Sequence, residues 1–209
     1  SRMPHNLADL LLLMLVTDDA LLDGRDALDV LGAAERGGVT SVQLRLKRRT
    51  ARDQVELARA LVATLRIPLL INDRPDVALA AGAAGVHLGP GDLPTHLTRR
   101  IVPPGFIIGA SVGSDDEVLT AGEADYWGIG RWRATATKDY AETAHGAEGF
   151  GRVEGQAAGR PCVAIGGVRP EDAAEILRTG GAGAAVVSGI LGAADVEAAA
   201  RSYRAALGR

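Results

Sequence analysis

Lysine, aromatics, cysteine and net positive charge are all scarce in this chain, and each shortage rules something out. Of 23 basic residues only Lys47 and Lys138 are lysines. Arg and Lys are nearly interchangeable on a solvated surface, but not where a compact ammonium must meet a phosphate oxygen as a point charge. The two lysines are either chance survivors of a bias toward arginine or functional, and their places in the architecture decide between these. Aromatics make up 3% of the chain, so its core must be built from Ala, Val, Leu and Ile. A formal charge of −3 and a pI near 5.8 provide no field for holding nucleic acid or an anionic membrane. The longest apolar run, Leu10 to Val16, is too short to span a bilayer and reads as a buried strand. No basic stretch, apolar stretch and small-residue cleavage site occur in series, so no export signal is expected. Ser1-Arg2 ahead of Met3 reads as a cloning remnant. The single Cys162 excludes an internal disulfide and fits a reducing cytoplasm. It lies in the apolar stretch Pro161–Ile165, which predicts a buried structural thiol rather than a nucleophile.

What the chain does have is a repeated alternation of short apolar segments with amphipathic ones. Strands are predicted near 10–17, 40–46, 68–72, 84–88, 106–111, 125–130, 161–165 and 184–188. Between them lie helical patterns such as 50–66, with Thr50 and Asp53 spaced as a helix start. Strands that are apolar throughout and separated by helices imply a parallel sheet covered on its outer face. Eight such units in 209 residues, 47% of them apolar, predict a single-domain (β/α)8 TIM barrel over 1–209 rather than an open sheet. Chemistry is then expected where the strands end at their C-terminal side.

The polar residues that interrupt the apolar pattern fall at those ends. Gln43, Arg45 and Lys47 alternate with Val42, Leu44 and Leu46, so period two puts all three on one side of the second strand. That side is either the barrel interior or, in the opposite register, a face meeting water. Asn72-Asp73 ends the third strand, and His87-Leu88-Gly89 precedes Asp92 after the fourth. Asp73 and Asp92 facing a cationic cluster suit Mg²⁺ holding a diphosphate, since that ion takes carboxylate oxygens together with substrate phosphates. Helix capping is the competing reading, because both precede helical segments. His87 reads as a packed, hydrogen-bonded barrel histidine. Strand five ends in Gly109-Ala110-Ser111 and strand six in Gly128-Ile129-Gly130. The irregular stretch 131–147, with Thr135, Thr137 and Lys138, reads as an active-site loop able to close over the site. Gly166-Gly167 and Ser188-Gly189 end strands seven and eight, the usual phosphate seat of such barrels, although tight turns alone would also call for these glycines.

The series Gln-x-Arg-x-Lys, Asn-Asp, His-x-Gly-x-x-Asp, Gly-x-Ser, Thr-x-Thr-Lys, Gly-Gly and Ser-Gly, in this order, resembles the thiamine phosphate synthase family from Val16 to the end of the chain. That family joins a hydroxymethylpyrimidine diphosphate to a thiazole phosphate and releases pyrophosphate. The resemblance implies that Arg45, Lys47, Asn72 and Lys138 hold the diphosphate and that Asp73 and Asp92 bind Mg²⁺. It puts Gln43 on the pyrimidine, Ser111 beside the reacting groups, and Thr135, Thr137, Gly167 and Ser188 on the thiazole phosphate. Lys47, Ser111 and Lys138 would then be the catalytic residues. The expected partners are small phosphorylated substrates, with no nucleic acid and no membrane; a homo-oligomer is compatible.

The chain departs from the family's pattern in two places. Arg131-Trp132-Arg133-Ala134 stands where the family has prolines, and Pro90 stands where it commonly has Gln. The related thiazole tautomerase branch, an isomerase on the same barrel, carries a His where this chain has Gly113, and lacks the Asp of the Asn72-Asp73 pair. A third alternative is a non-catalytic paralogue that binds thiazole phosphate.

Overall fold

The computed structural model describes residues 6–133 and 146–208. Its eight strands are β1 Leu13–Val16, β2 Ser41–Leu44, β3 Leu69–Asn72, β4 Gly85–Leu88, β5 Ile107–Val112, β6 Tyr126–Gly130, β7 Cys162–Ile165 and β8 Gly183–Val186. All neighbours are parallel, and β8 pairs with β1 to close the barrel. This is the (β/α)8 barrel that the alternation predicted. Among the described residues no helix is long and apolar enough to cross a membrane.

Two apolar clusters hold the barrel. The larger lies between sheet and helices, and joins outward strand residues such as Leu15, Val42, Ile71, Val86 and Ile129 to helix residues such as Leu31, Leu61 and Ile176. Each such side chain contributes about 1.5–3 kcal/mol by leaving water. The smaller fills the barrel itself, with Leu10, Leu11, Met14, Leu70, Tyr126 and Val163. The helix patterns fall where expected: Thr50 Oγ1 accepts from Asp53 N at the start of helix Ala51–Thr64. Cys162 is fully buried, and burial pushes its thiol up to about 12, as a structural thiol requires.

Three strand limits differ from the sequence expectation. The run Leu10–Val16 is buried throughout, but helix Leu7–Leu10 takes its first residue and β1 begins only at Leu13. β8 ends at Val186, and Ser188 opens the short helix Ser188–Leu191. β2 stops at Leu44, before Arg45 and Lys47. There the neighbouring backbone is replaced by side chains: Arg45 N donates to Thr17 Oγ1 at 2.8 Å, and Lys47 N to Asp19 Oδ2 at 2.7 Å. Apolar periodicity cannot register a ladder that ends because a hydroxyl and a carboxylate have taken its place.

The interior is not filled evenly. Tyr126, with no exposed surface, spans the barrel toward β5, where Gly109 pairs with it. A Cβ at Gly109 would lie 2.2 Å from Tyr126 Cζ. One at Gly128 would lie 3.1 Å from His87 Cε1. Glycine at these positions is the space that the Tyr126 and His87 rings occupy. Gly109→Ala should therefore cost about 2–3 kcal/mol of stability, in the range of core overpacking. Urea unfolding followed by circular dichroism measures it, and an unchanged midpoint would mean that the ring yields freely.

Candidate active site

At the C-terminal mouth, Gln43, Asn72, Lys47, Asp73 and Asp92 come together from the ends of β2, β3 and β4. Gln43 is buried, and its Oε1 accepts from Asn72 Nδ2 at 3.1 Å. Lys47 Nζ donates to Asp73 in a close ion pair. Arg45 leans the other way, toward Asp18 at 3.6 Å. The interior register holds for Gln43 and carries Lys47 to the mouth, whereas Arg45 is shared with the loop after β1. That loop was not singled out in the sequence. Its Thr17, Asp18 and Asp19 are bound to the Arg45–Arg48 segment by side chain and backbone. A hydroxyl and two acids after an apolar strand were the available signal.

Neither acidic residue caps a helix. The residue before helix Pro75–Ala81 is Arg74 and that before Thr95–Ile101 is Pro94, and neither start has a side-chain cap. Asp73 instead adopts a left-handed backbone, φ 64°, which is costly for a residue with a Cβ. Its N–H donates to His87 O at 2.8 Å. Asp92 Oδ2 accepts from Gly89 N at 2.6 Å. Burial raises the Asp92 carboxyl above its ordinary range, and a hydrogen bond with Asp73 raises it further. Two carboxyl groups thus meet beside one ammonium. Among the described residues no cluster of three or more His, Cys, Asp or Glu could hold a metal.

His87 is buried, with Nδ1 2.8 Å from Tyr126 Oη and Nε2 2.9 Å from Ser111 Oγ. Burial lowers it to about 4, so the ring is neutral at pH 7. It is the packed histidine that the sequence suggested, but it also reaches the mouth through Ser111. Tyr126, its other partner, was missed, because a tyrosine in an apolar strand reads simply as core. Ser111 lies between two cavities. One, of about 450 Å³, runs past Asp92, Pro90 and Leu119. The other, of about 320 Å³, runs past Gly128, Gly130 and Arg131.

Across the mouth, Gly166 and Gly167 both have positive φ, 93° and 72°. Against them lies the segment that departs from the family's prolines. Trp132 N donates to Ile165 O at 2.8 Å, and Arg133 N to Gly166 O at 2.9 Å. The Trp132 ring is buried edge-on against Phe150 at 5.8 Å. Arg133 forks onto the buried Asp172, with Nε 3.3 Å from Oδ2. The first three residues of the expected irregular loop are indeed in neither helix nor strand, but an isolated aromatic and a distant acid hold them in place, and helix Gly146–Glu154 takes the loop's last two residues. Thr135, Thr137 and Lys138 lie outside the described residues. Ser188 opens the short helix two residues after β8. Gly189 serves packing, since a Cβ there would lie 2.1 Å from Tyr203 Oη.

A parallel (β/α)8 barrel with amide, ammonium and carboxylate groups gathered at its C-terminal mouth has the architecture of a barrel enzyme, whose chemistry sits at that face. The comparisons with known proteins narrow this. Residues 13–190 match the family model described as thiamine monophosphate synthase. A thiamine-phosphate synthase of Azorhizobium caulinodans is 46% identical over 207 residues, 97% of this chain and 96% of that one. One from Methanoculleus marisnigri is 43% identical over 197 residues, 92% and 93% of the two chains. The solved structure of thiamine phosphate pyrophosphorylase from Pyrococcus furiosus superposes with a TM-score of 0.86 at 36% identity, covering 97% of this chain and 98% of that one. The chain belongs to the thiamine monophosphate synthase family.

The Asp73–Asp92 contact has a pH signature. A carboxyl whose folded pKa is raised binds its proton more tightly in the folded state. Stability from this group is therefore highest below its ordinary value of 3.8 and falls as pH rises through the raised value. Asn at position 92 removes that loss while keeping an acceptor for Gly89 N. In metal-free buffer, Asp92→Asn should gain stability relative to the parent between about pH 4 and 7. Thermal melts across that range test it, and a difference that ignores pH would sever the two carboxyls.

Proposed function

We propose that this chain joins 4-amino-2-methyl-5-hydroxymethylpyrimidine diphosphate to thiazole phosphate, forming thiamine phosphate and pyrophosphate, and that it requires Mg²⁺. The observation that carries this reading is the pair Asp73 and Asp92. They are freed from any capping role, pressed together at one mouth, and met by Lys47. Two hard carboxylates, with no third His, Cys, Asp or Glu grouped with them among the described residues, suit an ion that completes its shell with water and substrate phosphates. When bound, Mg²⁺ would supply positive charge to the departing diphosphate.

The protein's own groups then have separate tasks. Gln43, fixed by Asn72, offers the pyrimidine an amide at the base of the mouth. Lys47 and Arg45, with Lys138 by family resemblance, stabilise the charge that grows on the leaving oxygen. The carbon–oxygen bond breaks with both electrons going to pyrophosphate, and the thiazole nitrogen lone pair then forms the new carbon–nitrogen bond. Ionisation comes first because an electron-rich pyrimidine supports the cation and no base is needed; charge stabilisation is the main demand. Gly166-Gly167 and Ser188, with Thr135 and Thr137 by resemblance, seat the thiazole phosphate. A tautomerase-type isomerisation finds no imidazole at Gly113, whose N–H is held by Glu117. A non-catalytic binder would have no use for the paired carboxyls. A reducing, cytoplasmic setting suits the buried thiol of Cys162.

Incubation with Mg²⁺ and both phosphorylated substrates should yield thiamine phosphate by mass spectrometry, and product formation unaffected by EDTA would remove the metal from the scheme. Lys47→Arg keeps the charge but not the compact ammonium, and should lower turnover about 100-fold, the scale of losing one placed donor. Near-parental steady-state rates would return Lys47 to the solvated surface.

A further inference from the structure

Three groups stand in line between the barrel floor and the mouth: the buried Tyr126 and His87, and the half-buried Ser111. A neutral imidazole has one N–H and one lone pair, so the two ends of this line cannot be alike. Which nitrogen holds the proton is decided by the neighbours.

Tyr126 settles the direction. Its hydroxyl has no exposed surface and one proton, which a buried group must donate. Two acceptors are within reach: His87 Nδ1 at 2.8 Å and Met14 Sδ at 3.9 Å. The thioether is the weaker acceptor, stands farther away, and already receives Gln43 Nε2 at 3.6 Å. The phenol proton therefore goes to Nδ1, which places the imidazole proton on Nε2. Nε2–H then donates to Ser111 Oγ at 2.9 Å. With that lone pair occupied, the Ser111 proton is turned away from His87 and toward the half-buried mouth, where the two cavities meet.

We propose that Tyr126 and His87 are positioning residues that fix the polarity of Ser111, making it a hydrogen-bond donor toward an anionic oxygen of the substrate diphosphate. The identity of that oxygen rests on the function proposed above; the direction of the relay does not. A preset donor does not have to reorient as charge develops on the leaving group, which is the condition under which a single hydrogen bond accelerates a reaction most. It also gives the interior glycines a functional consequence, because Gly109 and Gly128 make the space in which the two rings can align.

The test is a long-range ¹H–¹⁵N correlation spectrum of histidine-labelled, ligand-free protein at neutral pH, with His87 assigned by its loss in His87→Gln. The expected pattern has Nε2 protonated and Nδ1 bare, and in Tyr126→Phe the Nδ1 resonance moves as its donor disappears. A protonated Nδ1, averaging between the two tautomers, or an Nδ1 resonance indifferent to Tyr126→Phe would overturn the relay. In turnover, Ser111→Ala should lose about 100-fold in kcat. Tyr126→Phe should lose less, with kcat falling more than KM rises. If Tyr126→Phe does not fold, the spectrum of the unaltered protein still decides the direction. The expected tautomer in a protein that makes no thiamine phosphate would reject the function and keep the relay. The opposite tautomer in an active synthase would do the reverse.

Discussion

The volume enclosed by eight strands is the constraint on which the rest of this molecule depends. A barrel of this size has room for a few layers of side chains, so each large ring must be matched by positions with none. Here the phenol of Tyr126 takes that room, and Gly109 on the paired strand yields it. Because Tyr126 is fixed, His87 is fixed, and because His87 is fixed, Ser111 is held at the mouth. The polar line is costly to bury and is tolerated because each of its groups has a partner.

A second tension sits above the first. Asp73 and Asp92 are like charges in contact, relieved only in part by Lys47 and by a proton drawn to Asp92. The left-handed backbone at Asp73 adds to the local strain. Strain of this kind persists only where surrounding structure enforces it, and it is enforced here by the pairing of β3 with β4 and the bond from Asp73 N to His87 O. Opposite this cluster, Arg133 is neutralised by Asp172 over the Gly166-Gly167 turn. The mouth thus has an acidic, lysine-bearing side and a glycine-lined side.

Much of this was legible in the chain as a string. Eight apolar segments separated by amphipathic ones determined the parallel barrel, because burial on both faces of a sheet demands continuous apolar strands. The spacing of Gln43, Arg45 and Lys47 and the order of the later motifs gave the family and the candidate residues. Other matters belonged to tertiary structure alone. An aspartate just ahead of a helical segment reads as a cap in the local sequence, and only the positions of Arg74 and Pro94 at the helix starts excluded that role for Asp73 and Asp92. The end of β2 depended on Thr17 and Asp19, about 28 residues away in sequence. The anchoring of Trp132 and Arg133 depended on Phe150 and Asp172. Local pattern records what a residue does for its own helix or strand, through periodicity and burial. It cannot record which distant hydroxyl, acid or ring will face that residue, because those contacts exist only once the barrel has closed.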